Sequence, residues 1–192
     1  MLDSIFLFAW TVIAYLIGCI PTGDVVSRMA GVKIRDVGNG NPGAANIFRE
    51  VGRKHGLLVF GLDILKGVAA TLPIYLLGGE SWMGLVAMLA VLAGHIFPAT
   101  QRFRGGTGMT VAMGTTAGLA PLGVPIGAIV AILVLLKTKN PGITGGSFFL
   151  VTPLAGWMLQ GDPVGIIGVL MAGAIVFTKA RFQYRNVAKA TV

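Results

Sequence analysis

The segment VGNGNPGAANIFRE, at residues 37–50, has the composition of an anion-binding loop. Asn41 followed by Pro42 predicts a helix N-cap and a first-turn proline, so Gly43, Ala44 and Ala45 would lie in the first turns of a short helix. The N–H groups and the positive dipole end of such a helix attract anions. Arg49 would lie about two turns into the helix, where it could clamp the same anion. The alternative is an ordinary interhelical loop.

A second glycine-rich segment, GHIFPATQRFRGGTGMTVAMG at residues 94–114, has the same chemistry. An apolar stretch ends here at His95 and Pro98, and the next begins after three glycines, Gly105, Gly106 and Gly108. Glycine-rich backbone before a helix can hold a phosphate, and two cations, Arg102 and Arg104, lie beside it. His95 is a candidate catalytic residue, with a structural histidine as the alternative.

Two opposite charges lie inside an apolar segment, LDILKGVAATLP. Asp63 and Lys66 are three residues apart and therefore share one face of a helix. Charges inside a membrane segment are costly and are functional candidates. The alternative is an internal ion pair that supports the site structurally.

The elements that carry these residues are predicted to be membrane helices. Hydrophobic residues make up 55% of the 192 residues, charged residues make up 11%, and the mean hydropathy is +0.82. Seven apolar spans are expected, near residues 4–27, 57–77, 82–98, 108–120, 122–136, 143–159 and 163–179. The chain is therefore expected to be one all-α polytopic membrane domain, residues 1–192, whose first span is retained and is not a signal peptide.

The basic residues indicate the orientation of these spans. All of the 15 Lys and Arg residues except Lys66 lie in alternate breaks between spans or at the end of span one. The other breaks, LGGESW, LAPLGVP and LQGDPVG, contain none. The positive-inside rule then predicts an outside N-terminus and a cytosolic C-terminus, with the glycine-rich segments in the cytosol.

The net charge of +8 has the same explanation, together with attraction to anionic lipid headgroups, so no nucleic-acid partner is implied. Three pairs of glycines spaced by four residues predict close helix packing: Gly114/Gly118, Gly123/Gly127 and Gly142/Gly146. Cys19 is the single cysteine and can form no internal disulfide.

Taken together, these segments resemble the bacterial acyl-phosphate:glycerol-3-phosphate acyltransferase family, whose members are seven-span membrane enzymes. The resemblance runs from GCIPTGDVVSRMAGVKIRDVGNGNPGAANIFRE through LDILKG and GHIFPATQRFRGGTG to the basic tail. It implies transfer of a fatty acyl group from acyl phosphate to the 1-hydroxyl of glycerol 3-phosphate, which gives lysophosphatidic acid. It implies no metal, no cofactor and no acyl-CoA, and it places a monomer in the bacterial inner membrane with a cytosolic active site.

The resemblance also implies a set of site residues. Those expected to act in catalysis are Asn39, Arg49, Arg104 and Asn186. Those expected to bind substrate are Gly38, Gly40, Asn41, Gly43, Ala45, Asn46, Lys66, His95, Gly105, Gly106, Thr107 and Gly108.

The chain departs from the family pattern at several of these positions. Asn39 replaces a serine, Ala45 a threonine and Thr107 a lysine, and Gln183 takes the place of a histidine in the tail. Three hypotheses follow: an active acyltransferase with an altered phosphate pocket, a non-catalytic relative that binds lipid phosphates, and a small transporter with broken helices.

Overall fold

The protein is a bundle of α-helices in this computed structural model, which describes the backbone of residues 2–190 and the side chains of residues 4–183. Nine α-helices form within this part of the chain, and short 3₁₀ turns occupy Ile34–Asp36 and Ala99–Gln101. The helices are α1 Leu2–Gly18, α2 Thr22–Met29, α3 Ala44–Glu50, α4 Arg53–Leu76, α5 Ser81–Ile96, α6 Met109–Leu119, α7 Val124–Thr138, α8 Pro141–Gln160 and α9 Pro163–Ala190.

Within the described residues, five stretches are long and apolar enough to cross a membrane: Ser4–Met29, Arg53–Leu76, Ser81–Gln101, Pro141–Gln160 and Pro163–Gln183. The apolar α7 is shorter, and α6 has only 11 residues. The all-helical membrane architecture is therefore confirmed. Each of the seven predicted spans contains a helix, but the number of crossings and their orientation stay predictions.

The first span, predicted near residues 4–27, consists of two helices with a break between them. Helix α1 ends at Gly18, and α2 begins at Thr22. Pro21 lies between them, where it has no backbone N–H to continue the helical hydrogen bonds. Backbone carbonyl groups at this break therefore lack their helical hydrogen bonds, and other parts of the chain must donate hydrogen bonds to them.

Glycines bring helices close together at several crossings in the described part of the chain. A Cβ atom added to Gly67 in α4 would overlap the carbonyl oxygen of Val111 in α6, and one added to Gly94 in α5 would overlap that of Tyr15 in α1. Gly123 at the start of α7 similarly faces the Thr152 carbonyl of α8. Backbones approach this closely only where no side chain separates them.

Two of the three predicted glycine pairs lie at such crossings. The pair Gly114/Gly118 faces α4, and the pair Gly123/Gly127 faces α8. The third prediction is wrong, because a Cβ atom at Gly146 would come no nearer than 3.7 Å to the ring of Phe177, and Gly142 faces only the side chain of Asn140. That side chain caps α8 by accepting from the N–H groups of Gly142 and Ile143.

The segment between α2 and α4 is held by a small apolar cluster of its own. Val26, Ile34, Ile47 and Val59 are buried against one another, and they come from α2, the first 3₁₀ turn, α3 and α4. The cluster fixes the position of the first glycine-rich loop, which has no regular structure of its own between residues 37 and 43.

Candidate active site

A buried ion pair in α4, Asp63 and Lys66, stabilises the break between α1 and α2. Lys66 Nζ donates hydrogen bonds to the carbonyl oxygen of Ile20 at 2.7 Å, to Thr22 Oγ1 at 2.9 Å and to Asp63 Oδ1 at 2.8 Å. Thr22 Oγ1 in turn donates to Asp63 Oδ1 at 2.5 Å. The Asp63 and Lys66 side chains are 1% and 5% exposed.

An ammonium group has three N–H donors, and Lys66 uses all three inside the protein. This geometry favours the supporting ion pair, one of the two alternatives left by the sequence, over direct contact of Lys66 with substrate. Substrate binding by Lys66 stays a prediction.

The first glycine-rich loop is closed by asparagine side chains. Asn46, which is 1% exposed, accepts from the N–H of Asn39 at 3.3 Å and donates to the carbonyl of Val37 at 3.2 Å. Asn39 Oδ1 accepts from the N–H of Asn41 at 3.1 Å. Gly38 and Gly40 have φ of +58° and +67°, which favours glycine at both turns.

The predicted helix start at Asn41 and Pro42 is wrong. Helix α3 begins at Ala44, and Gly43 is the N-cap residue, with no side-chain cap hydrogen bond. The carbonyl of Gly43 accepts from the N–H groups of Asn46 and Ile47, so the turn closes two residues later than the Asn-Pro pattern predicts. Asn41 instead belongs to the loop and lies with its side chain buried.

The second glycine-rich loop packs its backbone against His95. A Cβ atom at Gly105 would overlap the carbonyl of His95, and one at Gly106 would lie 2.7 Å from His95 Nε2 and 3.4 Å from Asn41 Oδ1. The His95 ring and the Asn41 amide therefore flank Gly106, so the two glycine-rich loops meet there. Asn41 Oδ1 is buried and accepts no hydrogen bond from the described residues.

Helix α6 begins where the sequence predicts, directly after this loop. Gly108 caps it with a φ of +84°, and Met109 is its first residue. Thr107 is half-buried just before the cap, whereas Arg104 is exposed on the other side of the two glycines. The N–H groups of the first turn of α6 therefore come shortly after Gly105 and Gly106, the two glycines that pack against His95.

A cleft opens where the α1–α2 break and the two loops converge. Thr22 and Asp24 of α2 line it, together with Arg35 from the first 3₁₀ turn and Pro42 from the first glycine-rich loop. The second glycine-rich segment contributes His95 and Gly106. Asp24 is buried and forms an ion pair with Arg35, with 2.7 Å between Asp24 Oδ1 and Arg35 Nε. The cleft therefore contains a fixed guanidinium group, an imidazole and closely approaching backbone.

Several predicted site residues lie elsewhere. Arg49 and Ala45 are exposed on α3, and Arg104 is exposed in the second loop. None of the three is among the residues that line the cleft. Asn186 lies outside the described side chains. The roles of these residues stay predictions.

Sequence reasoning missed Thr22, Asp24 and Arg35. Thr22 and Asp24 are polar residues inside a predicted apolar span, directly after a proline, and the argument applied to Asp63 and Lys66 would have found them. Arg35 was counted only as a cation that sets the orientation. Its pairing with Asp24, eleven residues earlier, has no sequence signature.

The chain matches the family model described as glycerol-3-phosphate acyltransferase over residues 8–190. The protein belongs to this family. Its relatives in the family include the glycerol-3-phosphate acyltransferases of Trichlorobacter lovleyi, at 37% identity over 88% of each chain, and of Rubrobacter xylanophilus, at 34% identity over 93% of this chain and 90% of the relative.

Two solved structures of the family have the same fold. They are crystal structures of PlsY, an integral membrane glycerol 3-phosphate acyltransferase, in a glycerol 3-phosphate form and a lysophosphatidic acid form. Both are 28% identical to this chain and cover 96% of it and 92% of their own, with TM-scores of 0.83 and 0.80. The protein is therefore an integral membrane acyltransferase.

Proposed function

We propose that the protein transfers a fatty acyl group from acyl phosphate to the 1-hydroxyl of glycerol 3-phosphate, giving lysophosphatidic acid and inorganic phosphate. The observation that carries this proposal is the cleft itself, which brings a guanidinium, an imidazole and two glycine-rich loops together at one end of a membrane bundle. This set suits a small phosphorylated substrate, because backbone N–H groups and arginine both bind phosphate oxygens. The relatives' names supply the acceptor, glycerol 3-phosphate.

The chemistry needs little from the protein beyond positioning. The oxygen of the 1-hydroxyl attacks the acyl carbon, the bond between that carbon and the bridging oxygen breaks, and phosphate leaves with the electron pair. The proton of the hydroxyl passes to a phosphate oxygen. Because acyl phosphate is already activated, alignment of the two substrates and stabilisation of charge can supply most of the acceleration.

The bundle supports a membrane-embedded reaction with one polar entrance. Large apolar side chains of α7 point outward, with Ile129, Leu133 and Leu136 more than half exposed, which suits contact with lipid tails. We place the cleft on the cytosolic side of a bacterial inner membrane, because the basic loops that form it follow the positive-inside rule. We also propose that the protein acts as a monomer.

An assay with purified protein tests the proposal. The protein is given acyl phosphate and glycerol 3-phosphate, and lysophosphatidic acid is measured, with acyl-CoA as the control donor. Synthesis with acyl phosphate as the donor, and not with acyl-CoA, supports the proposal. Synthesis only from acyl-CoA contradicts the donor, and no synthesis from either favours a relative that binds lipid phosphates without catalysis, as the replacement of a family lysine by Thr107 would allow.

A further inference from the structure

Arg35 is held in the cleft in a fixed orientation. It lies in the 3₁₀ turn Ile34–Asp36. Its Nε and Nη2 atoms donate to the two carboxylate oxygens of Asp24, both at 2.7 Å. The Asp24 side chain is 8% exposed, whereas that of Arg35 is 33% exposed. The buried carboxylate thus fixes one edge of the guanidinium, and the rest of the group stays accessible from the cleft.

The hydrogen-bond donors of Arg35 are only partly used. A guanidinium has five N–H groups in a rigid plane, and the pairing with Asp24 uses two of them. The other three include the end-on edge formed by one N–H from each Nη atom, and they make no hydrogen bond to the described residues. This edge matches two oxygens of a phosphate group.

A second unsatisfied group lies beside the cleft, behind the lining residue Gly106. Asn41 is 8% exposed, and its Oδ1 atom accepts no hydrogen bond from the described residues. It faces Gly106, which together with Arg35 lines the cleft. A buried acceptor without a donor is costly, and a ligand hydroxyl would satisfy it. The cleft therefore offers a charged double donor, and a neutral acceptor lies directly behind its wall.

We propose that Arg35 is a substrate-binding residue whose free guanidinium edge holds a phosphate group in the cleft, while Asn41 accepts a hydrogen bond from a hydroxyl of the same molecule. This deepens the proposed function and rests on it. Both proposed substrates carry a phosphate, but only glycerol 3-phosphate carries a hydroxyl as well. The combination therefore favours glycerol 3-phosphate as the molecule that Arg35 binds.

A pair of variants separates binding from a role in holding the loop. Asp24→Asn removes the carboxylate, and Asp24→Asn/Arg35→Ala removes the guanidinium as well. Neither variant leaves a buried unpaired carboxylate, which would destabilise the protein by itself. They differ only at Arg35. Thermal unfolding in detergent shows whether both are folded, and Asp24→Asn/Arg35→Gln replaces the double variant if the alanine version is not.

The measurements are the affinity for glycerol 3-phosphate by titration calorimetry and the KM for each substrate. We expect the double variant to bind glycerol 3-phosphate at least about 10-fold more weakly than Asp24→Asn, with a matching rise in KM, because one charge-assisted contact is lost. Equal affinities and equal KM values in the two variants would overturn the proposal, since a residue that only holds the loop acts through its ion pair with Asp24, which both variants lack. If only the KM for acyl phosphate rises, Arg35 binds the phosphate of the acyl donor and not that of glycerol 3-phosphate.

The calorimetry also separates this proposal from the proposed function. Wild-type protein that binds glycerol 3-phosphate but makes no lysophosphatidic acid would contradict the reaction, and the comparison of the variants would still decide the role of Arg35. Wild-type protein that binds neither glycerol 3-phosphate nor inorganic phosphate would overturn the assignment of Arg35.

Discussion

Two asparagines five residues apart, Asn41 in the first glycine-rich loop and Asn46 in α3, make different contacts. Asn46 uses both its amide oxygen and its amide nitrogen on the loop backbone, so its side chain is part of the structure. Asn41 is almost as buried, but its oxygen has no donor among the described residues. In the sequence the two residues look alike, and only the count of hydrogen bonds separates a group that holds the loop from one that is available to a ligand.

Arg49→Ala tests the exposed cation of α3. Arg49 makes no hydrogen bond or ion pair with the described residues, so its removal should leave the midpoint of thermal unfolding almost unchanged. If Arg49 binds substrate phosphate, kcat/KM for glycerol 3-phosphate should fall roughly 10- to 150-fold. Lys54→Ala, another exposed cation nearby, is the matched control and should keep its activity. Similar activity in both variants would remove Arg49 from the site.

Thr107→Lys tests the replacement of the family lysine. Thr107 is half-buried beside Gly106 and can offer a phosphate one neutral hydrogen bond but no charge. We expect the lysine to lower the KM for glycerol 3-phosphate by up to about 10-fold, because it adds a flexible cation near the cleft.

The exposed Arg104 provides the control for this gain. If both cations serve one phosphate, Arg104→Ala/Thr107→Lys should recover the activity lost in Arg104→Ala. An unchanged or higher KM in Thr107→Lys, together with no recovery in the double variant, would place the phosphate elsewhere.

At the scale of the helices, the positions of the glycines determine which two helices can pack closely. Gly67 and Gly61 lie in α4 six residues apart, but a Cβ atom at Gly67 would overlap the backbone of α6, whereas one at Gly61 would meet nothing within 4 Å. Gly67→Ala should therefore lower the free energy of unfolding by about 1–3 kcal/mol. Gly61→Ala should raise it by about 0.5–1 kcal/mol, since alanine favours a helix.

Thermal or denaturant unfolding in detergent, followed by circular dichroism, measures both changes. A similar small effect at the two positions would mean that α4 and α6 do not pack as closely as the structure describes.

The helices were easier to predict from the sequence than the connections between them. Each of the seven predicted apolar runs contains a helix, and two glycines of the second motif, Gly105 and Gly106, line the cleft. The start of α3 was missed because the Asn41–Pro42 pattern is a local preference, and the hydrogen bonds of Asn39 and Asn46 hold the loop in another conformation. The ion pair of Asp24 and Arg35 could not be predicted, because it depends on how the chain turns between them.

At the scale of the whole molecule, the distribution of basic residues makes a prediction about orientation. Cysteines introduced at Ser81, the first residue of α5, and at Asn39, in the first loop, should respond oppositely to a membrane-impermeant thiol reagent on intact cells. The background is Cys19→Ser, which removes the single native thiol. We expect labelling at Ser81 and protection at Asn39. Labelling of both positions, or of Asn39 alone, would contradict a cytosolic cleft.

The carbonyl groups released by the α1–α2 break are bound by side chains from two other parts of the chain. Thr100 Oγ1 donates to the carbonyl of Cys19 at 2.7 Å, and Lys66 Nζ donates to that of Ile20. The wall of the cleft is thus attached to α4 and to the turn after α5, and it cannot melt alone without breaking these bonds. Site and bundle should therefore unfold as one cooperative unit. On heating, the loss of glycerol 3-phosphate binding and the loss of helical circular dichroism should share one midpoint, whereas binding lost at a clearly lower temperature would mean that the break opens locally.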